Sequence, residues 1–250
     1  MLNIVVPMAG RGSRFAEAGF SDPKPLIKIH DKHMIQVVIN NLKPTQSHRF
    51  IFVCQNEHVR EYCLDRVFAE VCDDYQIVGI DGITEGAAVT VLKAREFIDN
   101  DSPLMIANSD QWVDIEIDDY LSDIDERHLD GSMLTMKASD PKWSYAKVDY
   151  KNRVTEVVEK KVVSDEATVG IYNFKKGTDF CRLADRMIEQ GLMSNGEFYV
   201  APVYTLMASE ALEIGIYNVG KEADGMYGLG IPNDLEIFLS SKVLEKATNF

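Results

Sequence analysis

Three glycines, two arginines and a lysine set between prolines crowd the stretch MAGRGSRFAEAGFSDPKPLIKI (Met8–Ile29), directly after the apolar run LNIVV. Gly10 and Gly12 leave backbone N–H groups open to close approach by a ligand. Arg14 offers a planar fork for two phosphate oxygens, and Lys24 a compact positive charge. Together these groups suit a polyanion, above all a triphosphate. From Arg11 to Lys32, the bases Arg11, Arg14, Lys24, Lys28 and Lys32 stand against the acids Glu17, Asp22 and Asp31. The whole chain has the opposite balance, with 40 acidic and 26 basic residues and a formal net charge of −14. A basic loop in an acidic protein points to one small anion held at one place; a solvated loop with scattered charge is the plain alternative. Nucleic acid is not an expected partner, because a phosphate-binding surface calls for the other sign.

The elements that must carry this loop alternate in type. LNIVV, RFIFVC (Arg49–Cys54), YQIVGI (Tyr75–Ile80) and PLMIANSD (Pro103–Asp110) read as strands. MIQVVINNL (Met34–Leu42), EHVREYCLDRVFAEV (Glu57–Val71) and GAAVTVLKAREFI (Gly86–Ile98) have helical apolar spacing. The alternation predicts an α/β fold with a mostly parallel sheet covered on both faces. Ligands of such sheets bind beyond the carboxyl ends of the strands, the edge where the glycine loop and Asp110 both fall.

From about Gly131 the chain turns β-rich, with GSMLTMKA, YAKVDY, RVTEVVEK and TVGIYNF separated by turn residues. Two helices, a strand IGIYNV, a glycine-rich loop GKEADGMYGLGIP and a last helix NDLEIFLSSKVLEKA complete it. No linker or repeat interrupts residues 1–250, so one domain is expected, with an inserted or appended mixed sheet. Hydrophobic residues make up 46% and charged residues 26%, as in ordinary soluble globular proteins. No apolar run approaches the roughly 18 residues of a membrane helix. Met1–Val6 has no basic start and no long apolar stretch, and the four cysteines show no CxxC spacing. Reduced thiols in the cytoplasm, with no membrane contact, are the expectation.

Two phosphate-loop patterns fail here. GxGxxG would need glycine at Phe15, and a P-loop would need GKS or GKT. What stands is GxGxRF followed by PKPL. PMAGRGSRF and DPKPLIKIHDKHMIQVVI closely resemble the sugar-phosphate nucleotidyltransferases, the nucleotide-sugar pyrophosphorylases. The resemblance continues through NSDQ, VVEK, ATVGIYNF and NGEFYV and so spans essentially the whole chain. It implies a Rossmann-like three-layer core, with a nucleotide-binding half over 1–130 and a smaller, mixed β-rich acceptor-binding half over 131–250. The implied activity is Mg²⁺-dependent transfer of a nucleoside monophosphate from a triphosphate to a phosphorylated small acceptor, with release of pyrophosphate.

The same resemblance implies roles. Met8, Ala9, Gly10, Arg11, Gly12 and Ser13 surround the nucleotide, and Asp81, Glu85 and Gly86 of DGITEGAAV read its base. Arg14 clamps the triphosphate and the leaving pyrophosphate, Lys24 meets phosphates at the reaction centre, and Asp110 of NSD binds Mg²⁺. Lys160 of VVEK holds the acceptor phosphate with Glu159 beside it, and Gly170 and Glu197 complete the acceptor site. The physical demand is clear: two unit charges about 4 Å apart repel by about 4 kcal/mol at an effective dielectric of about 20. Catalysis is then positioning and charge neutralisation.

A carboxylate at Asp81 or Glu85 would accept from the exocyclic amine of cytosine, favouring CTP over UTP or dTTP. Three departures bear on the details. Gly228 of MYGLGIPNDL stands where a second metal-binding aspartate is usual; either nearby Asp224 substitutes, or Asp110, phosphates and water hold a single ion. His33 and Lys161 replace prolines. A similar branch comprises capsule-pathway cytidylyltransferases acting on small acceptors such as phosphoglutamine. Trp112, Trp143 and Tyr145 are core residues or acceptor-pocket walls. The five histidines lack zinc-ligand spacing. A nucleotide-sugar glycosyltransferase and a non-catalytic nucleotide sensor are the rival readings, and homo-oligomerisation is left open.

Overall fold

The computed structural model describes residues 1–10 and 12–250. LNIVV forms β1 (Leu2–Pro7), buried along its length. Leu2, Ile4 and Val6 enter one apolar cluster while Val5 enters another, so strand alternation places β1 between two cores. In chain order follow a separate two-stranded ribbon, β2 (Lys28–Ile29) with β3 (Lys32–His33), then β4 (His48–Gln55), β5 (Tyr75–Ile80), β6 (Leu104–Ala107) and β7 (Gln111–Val113). The remainder are β8 (Gly131–Lys137), β9 (Tyr145–Val148), β10 (Val154–Val158), β11 (Glu166–Phe174), β12 (Ile214–Glu222) and β13 (Gly225–Gly228).

Eleven strands form one sheet in the order β5-β4-β1-β6-β11-β8-β12-β13-β7, with the β9–β10 hairpin against β11. β5, β4, β1 and β6 are parallel; β11 is antiparallel to β6. The chain leaves β1 toward β4 on one side and returns to β6 on the other, which makes the carboxyl end of β1 a switch point. The later strands join the same sheet edge to edge instead of forming a second one.

The fold is α/β with a mostly parallel centre, as expected. Its departures from expectation are local. The helix predicted over 57–71 is two, Asn56–Glu61 and Leu64–Ala69, with Cys63 between them at φ +50°. The first buries no side chain; the break re-aims the second so that Leu64 and Phe68 reach the core. The helix predicted over 86–98 breaks between Leu92 and Arg95, and the last helix between Leu239 and Leu244. The glycine-rich loop contains β13, which pairs with β7; both are too short to show periodicity. Trp112 and Tyr145 are core residues, Trp112 packing edge-on to Tyr227 at 5.7 Å. Among the described residues no helix is long and apolar enough to cross a membrane.

Candidate active site

The turn after β1 is built from backbone. Met8 N–H donates to the Val53 carbonyl at 2.9 Å, and both Met8 and Ala9 are buried. A Cβ on Gly10 would meet nothing within 4 Å, so the space beside its Cα is open. Gly12 has φ +60°, and a Cβ there would lie 3.2 Å from the Lys24 Cβ. Glycine thus supplies both the left-handed turn and the close passage of the lysine. Ser13 and Arg14 begin a short helix, with Phe15 as its buried anchor. Arg11 lies outside the described residues.

Pro23 and Pro25 bracket Lys24 in a 3₁₀ turn. His33 secures that turn, its Nδ1 2.8 Å from the Leu26 carbonyl oxygen, which is what the residue in the proline position does here. Lys24 Nζ reaches Asp110 Oδ2 at 2.8 Å across 86 positions of sequence, and each side chain is just over one-fifth exposed. A cavity of about 440 Å³ beside this pair is lined by Gly10, Gly12, Lys24, His58 and Ser109. His58 belongs to no motif in the sequence.

Asp110 is held from the far strand as well. Its carbonyl accepts from Leu229 N–H at 2.8 Å, and a Cβ on Gly230 would lie 2.6 Å from its Oδ2. A Cβ on Gly228 would lie 3.0 Å from Asp234 Oδ2. The strip Gly228–Gly230 is therefore bare where two carboxylates approach it. Burial pushes the Asp234 carboxyl above its ordinary range; Lys142 opposes this, and Glu222 and Asp110 reinforce it. Asp224, the substitute suggested by the sequence, is instead exposed in a turn, 3.4 Å from Lys221. The correction follows from the turn at Gly225: it directs Asp224 to solvent, while the next helix, Pro232–Leu239, brings Asp234 back.

A second cavity of about 540 Å³ adjoins Gly10 and is lined by Ile83, Thr84, Gly86, Thr90 and Glu197. Asp81 and Glu85 are not among its walls. The Asp81 carboxylate accepts from Asn56 Nδ2 at 2.9 Å, and Glu85 gives its backbone carbonyl to Phe198. Gln55 ties the two loops together, its Nε2 donating to the carbonyls of Ala9 and Gly82, each at 2.7 Å. At the end of an apolar strand, Gln55 carries no chemical signal in the sequence.

A third cavity of about 550 Å³ is lined by Asn108, Gln111, Trp143, Glu159, Gly170 and Tyr199. Gly170 sits at a register shift in β11 with φ +80°, and any Cβ there would collide with Asn108 and Gln111. Ser144 donates to Glu159, whose carboxyl burial pushes above its ordinary range while Ser144 and Lys160 pull it down. Lys160 stands at φ +53° and donates to the Tyr199 hydroxyl at 3.0 Å. Glu197, placed with the acceptor by resemblance, lines the second cavity, together with Gly10 and Gly86. Gln111 Oε1 and Trp143 Nε1 are buried without a partner among the described residues, a cost that an entering hydrogen-bonding ligand relieves.

The switch point thus offers bare backbone and the Lys24 ammonium to one cavity, and mixed polar side chains to its neighbour. The family model described as Nucleotidyl transferase matches residues 4–190, and the chain belongs to that family. It is a nucleotidyltransferase by class. Among solved structures, the nucleoside-diphosphate-sugar pyrophosphorylase of Vibrio cholerae RC9 superposes with TM-score 0.78 at 23% identity, over 94% of this chain and 99% of the other. The inositol-1-phosphate CTP transferase of T. maritima gives 0.77 at 15%, covering 98% and 94%. A UDP-glucose pyrophosphorylase complexed with UDP-glucose gives 0.75 at 14%, covering 100% and 97%. No curated protein matches the chain significantly.

Proposed function

We propose that the protein transfers a nucleoside monophosphate from a pyrimidine triphosphate, CTP ahead of UTP and dTTP, to a phosphorylated small acceptor, and releases pyrophosphate. The acceptor is a sugar 1-phosphate or a phosphoglutamine-like molecule. One observation carries this reading: residues 108–111 divide two cavities, with the Lys24–Asp110 pair at the divide. Ser109 faces the phosphate-side cavity, Asn108 and Gln111 face the acceptor-side one, and Asp110 between them meets Lys24.

In this reading the N–H groups around Gly10 and Gly12 and the Arg14 guanidinium take the triphosphate. Lys24 leaves Asp110 for the phosphates, and Lys160 carries the acceptor phosphate. An acceptor oxygen attacks the α-phosphorus, and the bond to the β-phosphate breaks as pyrophosphate leaves. Mg²⁺, when bound, neutralises phosphate charge. Asp110 would hold it, with Asp234 the next carboxylate along the glycine strip. Their oxygen donors suit a hard cation, and phosphate oxygens and water would supply its remaining ligands. The preference for cytosine moves from Asp81 and Glu85 to Glu197, the carboxylate in the nucleotide-side wall.

The test is pyrophosphate release with Mg²⁺ from CTP, UTP, dTTP, ATP and GTP, each paired with a panel of sugar, polyol and amino-acid phosphates. Release only when a triphosphate and an acceptor are both present supports transfer. Silence across every pair, in protein that binds nucleotide, would favour a sensor; hydrolysis of nucleotide sugars would favour a glycosyltransferase.

A further inference from the structure

The segment around Phe198 is the party wall between the nucleotide-side and acceptor-side cavities. Phe198 N–H donates to the Glu85 carbonyl at 2.8 Å, and Ala88 N–H donates to the Phe198 carbonyl at 3.0 Å. Gly86 allows this zip: its φ is +131°, and a Cβ there would meet the Phe198 backbone at 2.5 Å. Phe198 is itself buried, so the segment cannot swing without opening the core. Its two neighbours face different cavities, Glu197 the nucleotide side and Tyr199 the acceptor side.

A hydrogen-bonded chain crosses that wall. The Tyr199 hydroxyl donates to Glu197 Oε2 at 2.5 Å and accepts from Lys160 Nζ at 3.0 Å, with the ammonium 5.1 Å from the ring centre. The Lys160 backbone is pinned too, its N–H donating to the Trp143 carbonyl at 3.1 Å. A lysine side chain is ordinarily a free arm with several rotatable bonds. Here one phenolic oxygen sets where it points.

We propose that Tyr199 is a positioning residue that couples the two cavities: anchored on Glu197, its hydroxyl sets the Lys160 ammonium for the acceptor phosphate. This rests on the reading of Lys160 as the acceptor-phosphate cation. A nucleotide filling the cavity beside Glu197 shifts this chain and thereby the lysine, so nucleotide and acceptor bind in a coupled order. The network is solvent-exposed and adds little to folding. Tyr199→Phe therefore keeps the ring and the fold and removes only the link.

Trace acetylation with acetic anhydride reads the lysine directly. The free amine attacks an anhydride carbonyl, acetate leaves, and the amine proton passes to water. Peptide mass spectrometry of intact labelled protein gives the Lys160 rate relative to exposed Lys161. The expected ratio rises about five-fold in Tyr199→Phe, the factor of one ordinary hydrogen bond. CTP or UTP, tested separately, shifts the ratio in wild type by at least about two-fold and leaves Tyr199→Phe unmoved. In steady state, with whichever triphosphate–acceptor pair releases pyrophosphate, the variant raises the acceptor KM about five-fold, leaves the nucleotide KM at low acceptor unchanged, and abolishes the dependence of each KM on the other substrate. Equal labelling in both proteins, or a nucleotide shift that persists in Tyr199→Phe, overturns the coupling even if transfer is found. A labelling change with no transfer from any pair overturns the proposed function and leaves the Tyr199 tether standing.

Discussion

The two sides of the site prepare for their ligands in different ways. On the proposed nucleotide side, open backbone and an exposed arginine follow a parallel strand, and the bonds in place tie loops together, Gln55 to the Ala9 and Gly82 carbonyls and Lys24 to Asp110. On the proposed acceptor side, side chains are bonded to one another, Ser144 to Glu159 and Lys160 to Tyr199, whose hydroxyl reaches across to Glu197 of the other cavity. Backbone N–H groups recognise phosphate generically, because every residue but proline carries one. Side-chain networks recognise particular shapes, and exchanging one member changes the rest. Variation in substrate is therefore expected from the acceptor side, with the phosphate chemistry kept on the other.

The largest effects should come from the charges proposed to meet the triphosphate and its metal ion. Arg14→Ala and Asp110→Ala should each lower turnover by at least about 100-fold with the fold intact, as loss of a transition-state charge contact does; unchanged turnover in either removes that residue from the chemistry. Next, Lys160→Gln should raise the acceptor KM about ten-fold and spare the nucleotide KM measured at low acceptor, so a rise there would blur the division between the sides. Asp234→Asn should raise the Mg²⁺ concentration for half-maximal activity about ten-fold, while Asp224→Asn changes nothing measurable. The reverse pattern would return the second carboxylate to the turn.

The smallest effect separates burial from chemistry. Burial raises the Glu159 carboxyl above its ordinary 4.5. Folding then favours the protonated form, so its contribution to stability is full below pH 4.5 and is lost as pH rises through the raised value. Glu159→Gln removes that dependence. Its Tm relative to wild type should therefore climb by about 1–2 °C from acid to neutral pH, although the same change weakens acceptor binding. Parallel melting curves across that range would show that Ser144 already offsets the burial.

Much of the scaffold is legible in the order of residues. Met34–Leu42 forms the helix its spacing predicts, and LNIVV, RFIFVC and YQIVGI form the parallel strands. These are long, strongly patterned segments whose period alone specifies them. Less legible are β7 and β13, which exist because they pair with each other, and the helix break at Cys63, which serves the burial of Leu64 and Phe68. The site divides in the same way. Gly10, Gly12, Lys24 and Asp110 stand out by type and position, and the fold gathers them. Asp81 and Glu85 stand out by type alone, but the cavity wall holds Glu197, and the carboxylate near Gly228 is Asp234 instead of Asp224.

A parallel α/β core and a glycine-rich, basic turn at the end of its first strand are written directly in the chain, because apolar period, glycine freedom and charge type are local properties. Which distant carboxylates and hydroxyls come to share a wall is settled by packing instead. That choice depends on the antiparallel seating of β13 against β7 and on the close approach of Gly86 to Phe198, contacts between segments whose separation along the chain leaves no trace in either one alone.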